Sequence, residues 1–444
     1  MKWIFLLAIL MVTPVLASDF RRNPRHLLLA AFLIGLLPFV MGPLHLYVAP
    51  VSWAGWPGPV KGIEVSLLDA MAVAIIAATR PIRTPVILKI ALGIIVTALI
   101  ISTLASDQYW PPAFYGWQLF RAVLLYLAVA RATAAHSDFP IRLVFGLGLG
   151  LVIEAITATL QFAGGDSQAG GNFGHQNLLG LASLFVAMPV FALLLAGRRT
   201  AFALGILICE AIIVFTGGSR ASIGFLGIGL FFCIFLSIWH RTSGRKTIIS
   251  TLAFCALAGA APVMMLAIER RPEAQRAGSN EEREQFNEAA RMIIADHPQG
   301  VGANRYVVVA NLGGYSARAG VPWNSSQRVA PVHNFYYLYA AELGLLGLVG
   351  LVALLAGIIL IGVRSLKRIE LGERSDLMAG LTAATIASAG HFAFEYVAMT
   401  FYIHYLFAIN AGMLVALAAA RRQVAQGRHN QRAPLNLTAV QEPT

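Results

Sequence analysis

The stretch 329-VAPVHNFYYLYAAELGLLGLVGLV-352 places a His-Asn pair directly before a long apolar run that contains one carboxylate, Glu342. An apolar run of about 20 residues is long enough to cross a bilayer as a helix. His333 and Asn334 therefore stand where a membrane span meets water. Glu342 follows Asn334 by eight residues, about two helical turns deeper, and we expect it to brace a helical bundle.

Runs of the same kind recur along the whole chain. The 444 residues are 58% hydrophobic and only 12% charged, which is too little polarity for a water-soluble protein of this length. We predict an all-α, polytopic transmembrane bundle of about 12 spans, or 13 with a short N-terminal run, embedded in the lipid bilayer. Besides the N-terminal run, the apolar runs are 26–44, 64–79, 84–104, 116–131, 141–163, 178–197, 200–217, 221–239, 248–268, 334–363, 377–394 and 397–420.

The basic residues predict the orientation of these spans. The formal charge of +12 is spread in short clusters between apolar runs and not along one face, so it indicates cytoplasmic anchors and no nucleic-acid partner. The clusters fall at every second connection: 21–26, 80–83, 131–142, 198–199, 240–246, 364–374 and 421–432. The connections between them then face outward.

Composition divides the chain into four parts. Residues 1–268 are predicted as transmembrane helices, with a signal-like first span that we expect to be retained. Residues 269–331 contain eight arginines and no lysine, and we predict an outward loop subdomain with an arginine-rich helix. Residues 332–420 form the C-terminal transmembrane helices, and 421–444 form a basic cytoplasmic tail.

The segment 216-TGGSRASIGFLG-227 places Arg220 at an outward junction between two spans. The glycine pair allows a tight reversal, and the helix that follows offers free backbone N–H groups and a positive dipole end. An arginine there can hold a phosphate through two parallel hydrogen bonds. The alternative is an interfacial arginine that reaches lipid headgroups.

The segment 281-EEREQFNEAARMIIADHPQGVGANRY-306 predicts a helix followed by a turn at its proline and glycines. At 100° per residue, Arg283 falls on the apolar face of this helix, near Ile294. A charge on that face needs a partner or a ligand. The alternative is a local pair with Glu284 or Glu288.

His333 is the candidate base of the outer face. Histidine accepts a proton near neutral pH, which suits it to deprotonating a hydroxyl. A lone interfacial histidine is more often structural, but the inferred topology places Arg220 and Arg283 on the same side. Two cations and one base indicate a site for a diphosphate leaving group and a hydroxyl nucleophile.

Other polar residues are weaker candidates for supporting roles, and His175 and Asn177 have the alternative of capping the helix that follows. The chain contains no Walker lysine loop, no HExxH, no acidic pair of the DxD type in its outer loops and no nucleophile elbow. We therefore expect no metal, no cofactor and no nucleotide. The supporting candidates are Ser219, Asn334, Tyr337, Arg305, His175 and Asn177.

Four motifs in order resemble the O-antigen ligase and O-antigen polymerase superfamily, and the ligases most closely. They are 170-GGNFGHQN-177, 216-TGGSRAS-222, 297-HPQGVGANRY-306 and 332-VHNFYYLYAAELGLLG-347. The resemblance covers about 145–365. It implies a glycosyltransferase of the bacterial inner membrane with a periplasmic active site, so that the outward side is the periplasm.

The resemblance also implies substrates and roles. The donor is a glycan on undecaprenyl diphosphate, the acceptor of the ligases is a sugar hydroxyl of the lipid A core, and the reaction inverts the anomeric carbon. Arg220 and His333 match the family's SR and HN motifs. The loop arginine is Arg283, with Arg276 and Arg291 as alternatives.

Three other functions stay open at the level of sequence. A polymerase of repeat units and a protein O-oligosaccharyltransferase share the donor arginines and differ in the acceptor. A transporter of lipid-linked glycans is a different class. Transporters place their binding groups near the bilayer midplane and often show internal repeats, whereas the polar groups here cluster at the outer edge.

Overall fold

The computed structural model describes residues 2–269, 273–324, 327–367 and 372–431. Within them the chain is predominantly helical, with one two-stranded hairpin. The end of the predicted basic tail, 432–444, and the side chain of Arg276 lie outside the described residues.

The helices follow the predicted apolar runs, except for three that lie in the predicted loop 269–331. They are α1 Lys2–Arg22, α2 His26–Val40, α3 Leu67–Ala78, α4 Val86–Leu104, α5 Trp110–Ala135, α6 Phe139–Ala163, α7 Gln176–Leu195, α8 Thr200–Gly217, α9 Arg220–His240, α10 Gly244–Glu269, α11 Glu273–Asp296, α12 Tyr306–Leu312, α13 Tyr315–Arg318, α14 Phe335–Leu366, α15 Glu373–His391 and α16 Phe401–Gln431. Short 3-10 turns lie at Gly171–Phe173, Gln327–Val329 and Val397–Met399.

Nine helices in the described part of the chain are long and apolar enough to cross a membrane: α1, α4, α5, α6, α7, α8, α9, α14 and the first 19 residues of α16. Helices α2 and α3 are apolar but shorter. The chain is therefore a polytopic helical membrane protein. The expected number of about 12 spans and their orientation stay predictions.

Helix α7 lies at the centre of the bundle. It is apolar all round and buried from Asn177 to Leu195, as expected of a helix with neighbours on every side. Helices α8, α9 and α15 pack around it. Helix α15 approaches closely because it is rich in small residues: a Cβ added at Gly380 would lie 2.6 Å from the carbonyl oxygen of Met188.

The outer connection 45–63 contains structure that we did not predict. Strands β1, Tyr47–Ser52, and β2, Gly62–Ser66, form an antiparallel hairpin in which Tyr47 pairs with Ser66. The hairpin leads into α3, where Ser66 and Asp69 form a capping box. The tryptophans of this connection separate: Trp56 is buried and Trp53 is exposed.

A buried ion-pair cluster joins this hairpin to the bundle. The guanidinium of Arg121, on α5, donates to Asp69 at 2.9 Å and to Glu64 at 3.0 Å, and it also contacts the hydroxyl of Tyr405 on α16. A buried charge needs partners of this kind, because its desolvation cost is large. The cluster holds α3, α5 and α16 in register.

Candidate active site

Glu395 is the centre of the candidate site. It lies in the short segment between α15 and α16, and its side chain is fully buried. Its carboxylate accepts hydrogen bonds from the Nη2 atom of Arg283 at 2.9 Å, from the Nδ1 atom of His333 at 3.1 Å and from the side-chain amide of Asn177. One carboxylate thus joins three segments that are far apart in sequence.

The environment of Glu395 keeps this carboxylate ionised. Burial alone would raise the pKa of the carboxyl group, but the hydrogen bond from His333 and the charges of His333, Arg283 and His175 together lower it below its ordinary value. The carboxylate is therefore negatively charged at neutral pH, and it lies near the cationic Arg283 and the protonatable His333 and His175.

His333 is oriented by this carboxylate. An ionised carboxylate only accepts hydrogen bonds, so the Nδ1 atom of His333 carries the proton and, in the neutral ring, the Nε2 atom carries the lone pair. The ring packs edge-on against Phe286, with centroids 5.8 Å apart, and against Tyr396 at 5.3 Å. The side chain is 25% exposed. The arrangement is that of a base whose second nitrogen holds it in place.

Arg283 pairs across the molecule and not along its own helix. The predicted helix and turn are confirmed, since α11 ends at Asp296, directly before the HPQG sequence. Glu284 and Glu288, the local partners considered for Arg283, instead bind Arg291 at 2.5 and 2.7 Å. Of the three candidate loop arginines, Arg283 and Arg291 have described side chains, and of these two only Arg283 contacts the Glu395 carboxylate.

Ser219 and Arg220 approach the cluster from the junction of α8 and α9. The Ser219 hydroxyl accepts the backbone N–H of Ser222 at 3.2 Å, which caps α9, and donates to the Oδ1 atom of Asn177 at 2.5 Å. Arg220, the next residue, is exposed. Within the described ranges its guanidinium makes no hydrogen bond and no ion pair, so its charge is available to a ligand.

His175 lies at the other side of Asn177. Its Nδ1 atom accepts the backbone N–H of Asn177 at 3.2 Å and caps α7. Burial lowers the pKa of His175, an effect that Glu395 partly offsets and His333 reinforces. In the neutral ring the proton then sits on Nε2. The structure thus shows the alternative of a helix cap, and the effect of Glu395 and His333 on the pKa of His175 connects the residue to the cluster.

Three predicted supporting residues have other partners. Asn334 caps α14, because its Oδ1 atom accepts the backbone N–H groups of Tyr336 and Tyr337 at 3.0 and 3.1 Å. The side chain of Tyr337 lies beside Arg291. Arg305 is buried, donates to the Ser106 hydroxyl at 2.5 Å and pairs with Asp107. The structure does not bring these side chains to the Glu395 carboxylate.

Sequence reasoning did not assign Glu395 to the site. In the sequence Glu395 is one of several ionisable residues that interrupt apolar runs, and it follows His391 by four positions. The structure does not pair these two residues: within the described residues the ring nitrogens of the buried His391 have no hydrogen-bond partner. The usable signal was the rule that an ionisable group between spans marks a functional position.

Comparison with known families addresses the same region. A family model described as O-antigen ligase matches residues 204–352. The resemblance to the O-antigen ligase and polymerase superfamily is confirmed. The matched region contains Arg220, Arg283 and His333, whereas His175, Asn177 and Glu395 lie outside it. No curated protein matches the chain.

The match indicates a general class of enzyme and of substrate. O-antigen ligases and polymerases are membrane glycosyltransferase-like enzymes, and their substrates are lipid-linked glycans. The match therefore supports a function of the O-antigen ligase or polymerase type in a membrane-embedded protein.

Proposed function

We propose that this protein is an O-antigen ligase that transfers a glycan from undecaprenyl diphosphate to a sugar hydroxyl of the lipid A core. The reaction takes place at the periplasmic face of the bacterial inner membrane and inverts the anomeric carbon. The observation that carries the proposal is the single carboxylate of Glu395, which binds His333, Arg283 and Asn177. Asn177 in turn accepts from Ser219, the residue before Arg220, whose exposed guanidinium has no partner among the described residues.

His333 is the proposed general base. Its Nε2 atom takes the proton of the acceptor hydroxyl while the hydroxyl oxygen attacks the anomeric carbon of the donor. The bond between that carbon and the diphosphate oxygen breaks, and the electron pair leaves with undecaprenyl diphosphate. Glu395 stabilises the imidazolium that forms, because its ionised carboxylate accepts a hydrogen bond from the Nδ1–H group, which keeps its proton.

Arg220 and Arg283 are the proposed diphosphate ligands. Planar guanidinium groups match phosphate oxygens through paired hydrogen bonds and offset the charge that develops on the leaving group. The positive charge that this step needs then comes from side chains, so the proposed reaction requires no metal, cofactor or nucleotide. Ser219 and Asn177 are proposed to keep the Arg220 junction against the Glu395 segment.

An apolar cavity beside the site supports a lipid-linked donor. It measures about 640 Å³ and lies between α4, α5, α14 and α16. Phe335 and Phe392, two of its lining residues, follow His333 by two positions and precede Glu395 by three. A tail joined directly to a diphosphate must begin near that diphosphate, so the cavity suits one chain of the donor.

Transfer by purified protein in detergent is the direct test. We expect the protein, supplied with lipid-linked donor and core acceptor, to form the glycosylated core. Such transfer without a sealed membrane excludes an obligatory transporter. Absence of transfer under conditions in which the protein binds the donor would contradict the proposal.

The lipopolysaccharide of a deletion strain separates ligase from polymerase. Loss of a ligase leaves bare core while lipid-linked polymer persists. Loss of a polymerase instead leaves core capped with single repeat units, and that result would overturn the ligase assignment. An unchanged lipopolysaccharide together with loss of protein glycosylation would indicate a protein O-oligosaccharyltransferase.

A further inference from the structure

Helix α14 is broken where the loop after α11 meets it. Gly344 has φ 72° and ψ 178°, outside the helical range. The break changes the partners of the backbone groups around it: Ala341 and Glu342 accept from the N–H groups of Val301 and Gly302, both at 3.0 Å, and Leu345 donates to Pro298 at 3.0 Å. The segment 298–302 therefore pairs with α14 as a short strand would.

Glycine is required on both sides of this contact. A Cβ added at Gly300 would lie 2.5 Å from the carbonyl oxygen of Glu342, and one added at Gly344 would lie 2.5 Å from the carbonyl carbon of Gln299. Both glycines also have positive φ. The PQGVG and ELG sequences are thus two halves of one contact.

The Glu342 side chain extends the contact. The residue is buried, and its two carboxylate oxygens accept the backbone N–H of Asn304 at 2.7 Å and of Tyr306 at 3.0 Å. An acid at this depth in a span is costly unless both oxygens are paired. It is paired here with the loop and not with another transmembrane helix.

Tyr306 carries the connection back to α11. Its hydroxyl, on a side chain that is 1% exposed, donates to the carbonyl oxygen of Phe286 at 3.1 Å. Phe286 lies three residues after Arg283, about one helical turn, and its ring packs against His333. The contacts therefore run from Glu342 through Tyr306 and Phe286 to the turn of α11 that carries Arg283.

We propose that Glu342 is a positioning residue that sets the Arg283 guanidinium relative to His333 through Tyr306 and Phe286. The proposal rests on the proposed function for its catalytic consequence. The structural part of the proposal does not depend on that function. It states that a change in the contact between Glu342 and the loop changes the position of Arg283.

Tyr306→Phe is the sharpest variant, because it removes one hydroxyl and keeps the buried ring. Tyr315→Phe is the matched control. The Tyr315 hydroxyl also bonds within this subdomain, to Asp296 at 2.9 Å, but it does not touch α11 near Phe286. We expect Tyr306→Phe to lower kcat/KM by roughly 5- to 30-fold, as for loss of one buried hydrogen bond, and Tyr315→Phe to change it less than about 3-fold.

A double-mutant cycle separates positioning from general destabilisation. Arg283→Lys places the positive charge differently, so the Tyr306 contact no longer aligns it. In that background Tyr306→Phe should lower kcat/KM by less than about 3-fold. If the loss of kcat/KM in the double variant equals the product of the losses in the two single variants, the proposal is overturned. The same cycle on the Kd for undecaprenyl diphosphate serves if the double variant transfers too slowly to measure.

Hydrogen exchange tests the connection without any transfer assay. Glu342→Gln removes one carboxylate acceptor and should accelerate amide exchange at Asn304 and Tyr306 and also in α11 around Phe286. Faster exchange confined to the loop, with α11 unchanged, would overturn the proposal. If exchange spreads to α11 in a protein that transfers no glycan, the positioning contact stands and the proposed function fails.

Discussion

At the scale of the residue, Glu395 supplies the orientation that the proposed base His333 requires. Its buried carboxylate settles which nitrogen of His333 carries the proton and keeps Arg283 beside the ring. It also contacts Asn177, which bonds to Ser219. Local sequence leaves each of these side chains with a structural alternative, and their shared partner joins them into one network.

Replacement of His333 by Ala tests the base. We expect transfer to fall by roughly 10²- to 10⁴-fold, the usual contribution of a positioned general base, while the affinity for the donor changes little. Steady-state kinetics with purified protein measure both. His136→Ala, in a predicted cytoplasmic connection, is the matched control. Unimpaired transfer by His333→Ala would remove the residue from the site.

Arg220 and Arg283 should differ in what they do for stability. Arg220 is exposed and unpaired within the described ranges, so Arg220→Ala should change the free energy of unfolding by less than about 0.5 kcal/mol while raising the KM for the donor. Arg283→Ala leaves the buried carboxylate of Glu395 with one partner fewer and should cost roughly 1–3 kcal/mol. Thermal melting measures the difference, and equal losses for both variants would contradict the pairing.

Acid should weaken the site through Glu395. The pKa of its carboxyl group is lower in the folded protein than its ordinary value of 4.5, so the folded state binds fewer protons than the unfolded state. Its stabilising contribution is therefore complete above pH 4.5 and is lost as the pH falls through the lowered pKa.

Comparison of melting temperatures against pH checks this sign. The wild type should melt above Glu395→Gln at neutral pH, and the gap should shrink on acidification below pH 4.5. A gap that widens with falling pH would mean that the carboxyl group is protonated in the folded state at neutral pH.

At the scale of the element, the start of α14 shows how one motif serves two purposes. In the HN pair His333 faces the site, whereas Asn334 caps the helix with its side-chain oxygen. An asparagine at this position therefore has a simple reason in helix geometry, since the first N–H groups of a helix need an acceptor from the residue that precedes them.

Substitutions of Asn334 separate capping from substrate binding. Asn334→Ser keeps a capping oxygen and should retain transfer and stability, whereas Asn334→Ala should cost about 1 kcal/mol. Chemical or thermal unfolding of the two variants gives the comparison. A large loss of transfer in Asn334→Ser with unchanged stability would instead favour a direct role at the substrate.

At the scale of the whole molecule, an apolar cavity lies between α4, α5, α14 and α16, and its lining includes Phe335 and Phe392, which are near His333 and Glu395 in sequence. Aromatic and aliphatic side chains line it almost entirely. The buried Arg121 cluster holds α5 against α16, which are two of its four walls. The cavity is thus a property of how helices from both ends of the chain pack together.

Filling the cavity should affect the donor according to its tail. Gly93 lines the cavity and Gly205, on α8, does not line it; a Cβ at either meets no atom within 4 Å. Gly93→Trp should raise the KM for a donor with a full-length tail by roughly tenfold or more, since large apolar contacts are lost. Gly205→Trp is the matched control.

A donor with a tail of one or two isoprene units completes this experiment. It does not reach along the cavity, so Gly93→Trp should leave its KM unchanged. Equal effects of Gly93→Trp on both donors would mean that the cavity does not hold the donor tail.

Much of the fold was predictable because it depends on local patterns. Apolar runs of helical length, and the turn after α11, need no long-range information. The hairpin at Tyr47–Ser66 was missed because its strands are only six and five residues long and the second one overlaps the predicted apolar run 64–79. The partner of Arg283 was missed because it lies 112 residues away in sequence.

The sequence by itself determined that this chain is a helical membrane protein that resembles the O-antigen ligase and polymerase superfamily, and it singled out Arg220, Arg283 and His333. Hydropathy and motif order are local properties, so they can be read directly from the sequence. Only the tertiary structure decided which of these residues meet. Glu395 comes between α15 and α16, yet it bonds to residues in α7, in α11 and directly before α14, because the helices pack in an order different from their order along the chain.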